Sequence, residues 1–154
     1  MIDARSRKED AWLGENLAAQ GTVTISQLMA AQKEAKEHSL PLREVLIHRK
    51  MIRESKLLAV YATEFGMEIL NIAERDYQMV DTSLSRLLPL KFCLKYKVLP
   101  IFRIIDEDLR ELTLAVTTPF AADVIAEVAR LTGCRVTPVL TTVPTVEGGI
   151  AKLY

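Results

Sequence analysis

Cysteine and histidine are the side chains best suited to nucleophilic, redox or metal chemistry, and this sequence holds two of each: Cys93, Cys134, His38 and His48. The cysteines lie 41 residues apart, form no C-x-x-C pair and have no histidine at ligand spacing. Both therefore read as small apolar side chains of a reducing compartment rather than as a disulfide or a reactive thiol. The histidines stand in the charged stretches KEHSLP and LIHRKM, which suit solvated surface. With neither H-x-x-x-H nor H-E-x-x-H, no histidine-built metal site is expected. No G-x-S-x-G elbow supports a serine nucleophile. The run Asp106-Glu107-Asp108 lacks the bend glycine and later glutamate of a calcium loop, so it reads as a charged turn. Gly148-Gly149 has no lysine after it, and neither G-x-x-x-x-G-K-[ST] nor G-x-G-x-x-G occurs. No loop of the chain is therefore built to cradle a triphosphate or a dinucleotide. No set of residues makes a catalytic site, and no enzyme activity, metal or cofactor is expected.

At 154 residues the chain is one domain or two small ones, and it can bury a core without disulfides or metal. Lys plus Arg and Asp plus Glu both number 20, and the balance is local: 11 basic and 12 acidic residues up to position 80, 9 and 8 after it. Without a basic half, binding along a nucleic-acid backbone is not expected, because that affinity comes from clustered phosphate neutralisation. Charges interrupt every apolar run well short of the ~18–20 residues that span a bilayer, so no direct membrane insertion is expected. The start, MIDARSRKEDAW, has no apolar signal core, which points to a cytoplasmic protein.

The elements that would position any site begin with an internal repeat. Leu13, Glu15, Leu17, Val23 and Leu28 recur 29 residues later as Leu42, Glu44, Leu46, Ile52 and Leu57. Each unit holds a short helix, a tight break and a longer helix. In the first, Leu13 and Leu17 share a face and Gly21 suits a left-handed helix end. Thr24 and Gln27 then form a capping box, and Leu28, Ala31 and Ala35 carry the next apolar face. In the second, Leu42, Val45 and Leu46 do the same, then Leu57, Leu58, Val60 and Tyr61 carry a helix that Gly66 ends. Residues 67–82 read as a crossing segment, with MEILNI a short strand or extended stretch.

Beyond residue 82 the period changes. SLSRLLPLKFCLKY reads as helical turns broken near Pro89, and VLPIFRII (98–105) as a buried strand. The charged turn leads to an antiparallel partner, LTLAV (112–116). Thr118-Pro119 is expected to open a helix with Val124, Val128 and Leu131 on one face and Gly133 at its end. CRVTPVL (134–140) is a third strand, and TVPTVEGGIAKLY a terminal helix weakened by its glycines. The fold class is thus α+β: an N-terminal tandem helical-hairpin bundle, then a small three-stranded α/β unit with flanking helices. The divisions are a flexible arm over 1–11, the repeat over 12–82 and the α/β unit over 83–154.

Several stretches together carry a resemblance: LGENL (13–17), Gly21 and Gln27-Leu28, Leu46, Leu57 and Phe65-Gly66, then LLPLKFCLKYKVLPI (87–101), LTLAVTTPF (112–120) and LTGCRVTPVL (131–140). In these the chain resembles the N-terminal domain of the type II secretion and type IV pilus assembly ATPases, the general secretory pathway protein E family. The resemblance implies a non-catalytic adaptor that couples the motor domain of a longer parent to an inner-membrane platform protein. It places the chain in the cytoplasm, peripheral to the inner membrane through that partner.

One branch of the family, typified by the MSHA pilus ATPase, uses a tandem repeat of the form R-L-G-x-x-L, Gly, L-x-x-x-L-x-x-Q to bind cyclic di-GMP. The positions here that match it, or could serve it, are Leu13, Gly14, Leu17, Gly21, Leu28, Arg43, Leu46 and Leu57. The motif is degenerate. Trp12 and Pro41 stand at the arginine positions, Arg43 and Lys50 at glycines, and Ala35 and Glu64 at the final glutamines. Glycine permits close backbone approach and arginine offers a planar fork, which Pro41 does not supply. A cyclic di-GMP sensor is therefore the alternative to the adaptor, and that ligand is not the expected partner. Trp12, the single tryptophan, reads as a core anchor, with partner binding as its second role.

Overall fold

The computed structural model describes residues 4–70 and 82–154. The chain divides into two compact units, one running to Leu57 and the other from Leu58 to Tyr154. The division falls inside one helix, and residue 82, where the hydrophobic period changes, lies within the second unit. Among the described residues there are seven α-helices and one three-stranded sheet, which is the α+β class expected.

The repeat builds the first unit. Helices α1 (Ala4–Asn16) and α2 (Ile25–His38) form one hairpin, and α3 (Leu42–His48) leads to α4 (Glu54–Phe65). The repeated apolar positions are its core: Leu13, Leu17, Val23 and Leu28 are buried, as are Leu42, Leu46, Ile52 and Leu57. The backbone repeats too. Thr22 N–H donates to the Leu17 carbonyl and Met51 N–H to that of Leu46, both at 3.0 Å. Gly21 takes the left-handed conformation expected of it, with φ +73°, and Lys50 takes the same at +58°. A lysine there costs about 1–2 kcal/mol that glycine does not. The capping box at Thr24 and Gln27 forms as read, and Leu28, Ala31 and Ala35 are the buried face of α2.

Of the expected arm over residues 1–11, residues 1–3 lie outside the described residues and the remainder is helical: α1 runs from Ala4, and Glu9 in its middle is buried. The sequence here is polar. What orders it is contact with α3, which a local reading does not see.

In the second unit β1 (Leu99–Ile105) pairs antiparallel with β2 (Arg110–Val116), as expected. After α6 (Ala122–Thr132), β3 (Arg135–Leu140) returns parallel to β2, giving the order β1-β2-β3. Glu68–Leu70 lies along the free side of β3: Leu140 N–H donates to the Glu68 carbonyl at 2.8 Å and Leu70 N–H to the Leu140 carbonyl at 2.7 Å. This is the extended stretch expected of MEIL; residues 71–81 of the crossing segment lie outside the described residues. A 3-10 turn (Thr82–Arg86) and α5 (Leu90–Tyr96) precede the sheet, with Pro89 between them, and α7 (Val143–Leu153) ends the chain. On α4, Leu58, Val60 and Tyr61 are buried, and Gly66 follows the helix at φ +64°. Tyr61, Phe65 and Phe120 form an edge-to-face cluster with centroids 5.3–6.3 Å apart.

Two expectations about α6 need correction. Thr118-Pro119 does not open the helix: α6 starts at Ala122, and Thr118 Oγ1 instead accepts from Phe120 N–H at 3.2 Å. The Thr118 hydroxyl is taken up by Phe120 N–H, and Phe120 is held in the aromatic cluster, so the helix begins only after them. Leu131 is not on the buried face with Val124 and Val128 but 40% exposed in the last turn. Gly133 ends the helix in the left-handed conformation, as read.

The glycines of α7 do more than weaken it. A Cβ on Gly149 would stand 2.2 Å from Cδ2 of Leu99, whose side chain is fully buried. The absent side chain is what lets α7 close on β1. Alanine favours helix by about 1 kcal/mol, but overpacking a closed core costs about 1–3 kcal/mol. Gly149→Ala is therefore expected to lower stability by up to about 2 kcal/mol in urea unfolding, with an unchanged slope.

Candidate functional site

The positions singled out in the repeat converge on the first unit, though not on one cleft. Leu13, Leu17, Leu28, Leu46 and Leu57 are at most 5% exposed, so they are core and no ligand reaches them without opening it. Gly21 is exposed and shapes a turn. Gly14 is half-buried beneath α2, where a Cβ would lie 2.9 Å from Gln32 Nε2. Trp12 is half-buried, and its carbonyl accepts from Asn16 Nδ2 at 2.8 Å.

Arg43 is the position the structure redefines. It is 7% exposed, its Nη2 donates to Glu54 Oε2 at 2.9 Å, and its Nη1 lies 3.9 Å from Glu9 Oε2. The guanidinium thus ties α3 to the N-terminal half of α1 and the first turn of α4. As a loose cation it could have met a phosphate; engaged by two carboxylates in a dry setting, it is a strut. Neither glutamate was singled out in the sequence. The only available signal was that a buried arginine must find acidic partners.

Beside this strut lies a cavity of about 240 Å³ lined by Asp10, Gln32, Ala35, Lys36 and Leu42. None of the eight candidate ligand positions lines it, although Leu42 of the repeat and Ala35, at the final glutamine position of the first unit, do. Gln32 gave the one readable signal, a polar side chain one turn after Leu28 on an otherwise apolar face. Asp10 has a structural task there: its Oδ1 accepts from Leu42 N–H at 3.0 Å. The residue at the N-cap of α3, Pro41, offers no side-chain acceptor, so a carboxylate from α1 caps α3 across the fold. Burial pushes the Asp10 carboxyl above its usual range, more than the amide of Leu42 holds it down, and the charge of Glu9 adds to the rise. The remaining chemistry-bearing residues are dispersed. Cys93 and Cys134 are buried and unbridged, and burial raises the Cys93 thiol. His38 and His48 are exposed, as read. Among the described residues no group of His, Cys, Asp and Glu could hold a metal ion, and no helix is long and apolar enough to cross a membrane.

Two variants test this account. Removing Arg43 leaves two carboxylates facing each other out of water, so Arg43→Met is expected to cost about 3–5 kcal/mol in chemical unfolding. Asp10→Asn keeps an acceptor for Leu42 N–H but removes the charge. Because the folded carboxyl holds its proton more tightly than the unfolded one, wild type loses stability as pH rises through the carboxylate range. Thermal melts of Asp10→Asn should therefore lie at or above wild type at neutral pH, and the two should converge as the pH falls below that range.

Comparison with known proteins places these features in a lineage. The structure of MshE with cdg superposes with a TM-score of 0.71 at 22% identity, over 92% of this chain and 98% of that one. The N-terminal domain of XpsE superposes at 0.67 and 15% identity, over 100% and 99%. In sequence, the type IV pilus assembly ATPase PilB of Myxococcus xanthus (strain DK1622) is 24% identical over 142 residues, 92% of this chain. The chain spans only 24% of that relative's length. The MshEN domain family matches residues 65–154, from the end of α4 through the sheet to the last residue. With more than half of its length so matched, and with the fold of these N-terminal domains, the chain belongs to the MshEN domain family.

Proposed function

We propose that this domain is a non-catalytic adaptor of a type II secretion or type IV pilus ATPase, docking the motor to an inner-membrane platform protein. The observation that carries the reading is the engagement of Arg43 by Glu9 and Glu54. It fills the interior of the repeat with protein interactions and leaves the unit a rigid scaffold. Membership of the MshEN family and likeness to the N-terminal domain of XpsE support it. Half-exposed Trp12 supplies the kind of amphipathic aromatic anchor that dominates protein contacts. The polar residues lie scattered, which supports a role other than bond-making.

A second reading has one observation in its favour. MshE, solved with cdg, shares the fold, and the repeat turns at Gly21 and Lys50 keep one backbone shape. A cyclic di-GMP sensor built on Leu13, Gly14, Leu17, Gly21, Leu28, Arg43, Leu46 and Leu57 remains weaker for a physical reason: binding phosphate with Arg43 requires breaking a buried ion pair.

One calorimetric experiment with two titrants separates these readings. The cytoplasmic domain of the platform protein from the same system is expected to bind, and Trp12→Ala to weaken it by about tenfold or more. Cyclic di-GMP is expected to give no micromolar isotherm. A dinucleotide isotherm that disappears in a Gly14 and Arg43 double variant, with no platform binding, would replace the adaptor by the sensor.

A further inference from the structure

In the second unit α7 packs against both α5 and the 3-10 turn that precedes it. From Thr82 to Lys97 and from Val143 to Tyr154 these elements carry Arg86, Lys91, Lys95, Lys97 and Lys152 against a single acid, Glu147. In a chain of zero net charge this is a marked local excess. Lys97 takes up Glu147 at 3.3 Å, and among the described residues no carboxylate meets Lys91 or Lys95.

The period of α5 sorts its side chains. Cys93 is buried, and Phe92 and Tyr96 are half-buried beside it. At about 100° per residue, Leu90, Leu94, Lys91 and Lys95 follow one another around the opposite arc. All four are exposed, the leucines 42% and 44%. Apolar and cationic side chains thus share one outward face. Lys95 Nζ lies 5.1 Å from the centre of the Tyr96 ring. A second tyrosine comes from the end of α7: Tyr154 Oη donates to the Leu88 carbonyl at 2.6 Å and lies 3.5 Å from Cys93 Sγ. This pins an exposed ring at the start of α5. Leucine, tyrosine and lysine together suit the boundary between lipid headgroups and acyl chains. Leucine enters the apolar side, the tyrosine ring spans the boundary, and lysine lays down its stem while its ammonium stays wet.

We propose that this face of α5 rests on the anionic surface of a lipid bilayer, with Lys91 and Lys95 at the lipid phosphates and Leu90, Leu94 and the Tyr154 ring at the upper acyl chains. A free phosphate would answer the lysines and leave the leucines and the ring in water. Two leucines and one ring also bury less than a stable protein interface needs. A bilayer accepts whatever apolar area is offered and adds an attraction for each cation. Each basic residue beside an anionic surface strengthens binding by about fivefold. The contact is weak by itself, since stable anchoring takes two signals, so its work is to orient a domain held at the membrane by other means. It lies along the interface and spans nothing, in keeping with helices too short to cross. Lipid is the whole of the partner, so the inference does not depend on platform docking.

The test is flotation of the chain with lipid vesicles. Binding is expected with vesicles of phosphatidylglycerol and phosphatidylethanolamine at low salt, falling as salt rises, and none with phosphatidylcholine alone. Lys91→Gln with Lys95→Gln should weaken it about thirtyfold. Leu90→Ser with Leu94→Ser should weaken it about tenfold and leave its salt dependence in place. Lys33→Gln with Lys56→Gln removes the same charge from exposed positions of the first unit and should leave binding unchanged. All six positions are exposed, and circular dichroism checks that each variant folds. Four results would overturn the proposal: no flotation with anionic vesicles at low salt, equal flotation with phosphatidylcholine, both lysine pairs weakening binding alike, or a leucine pair without effect. Loss of platform binding in the Lys91 and Lys95 variant, with no vesicle binding by the wild type, would likewise overturn it and give the face to an acidic protein.

Discussion

One guanidinium decides what kind of object the helical repeat is. Arg43 lies inside the first unit, within reach of a carboxylate on α1 and another on α4. A cation so placed has given up its hydration and recovers the loss only if both partners stay where they are. Three chain segments far apart in sequence must therefore hold position together, and the polar N-terminal half of α1 is ordered as a result. The trans cap from Asp10 works alongside it, because α3 follows a proline and has no acceptor of its own. Two neighbouring residues of α1, Glu9 and Asp10, thus fix both the side and the beginning of α3.

Around that strut the repeat is a duplicated apolar seam whose parts have diverged unequally. The leucines at matched positions are buried in both copies, while the first unit has Gly14 and Gly21 where the second has Arg43 and Lys50. Hydrophobic burial tolerates this, since it asks for shape and apolarity without a specific partner. A phosphate site does not, since it asks for a free donor and open backbone together.

Much of this was legible in the residues, and the reasons differ by element. The 29-residue spacing of leucines, the Thr24–Gln27 box and the glycines at 21, 66 and 133 each act over a few positions, so they can be read locally. The strands and the antiparallel pairing of the first two followed from β-branched runs and a charged turn, whereas the parallel place of β3 beside β2 did not. What could not be read was non-local. The α1 helix depends on α3, and the late start of α6 depends on Phe120 meeting Tyr61 and Phe65. Gly149 looked like a weak point in α7 until Leu99 appeared against it. The ion pairs of Arg43 are not visible locally, because its two acids lie 34 positions before it and 11 after it.

The turn at Lys50 has a kinetic side. Gly21 and Lys50 hold the same backbone shape, but only the lysine is held there against its own preference. The two halves of the duplication should accordingly differ in how often they breathe. Amides around Met51 and Ile52 should exchange with solvent deuterium sooner than those around Thr22 and Val23, although both pairs sit in matching surroundings. The older symmetry persists in the mean coordinates and is broken in the fluctuations.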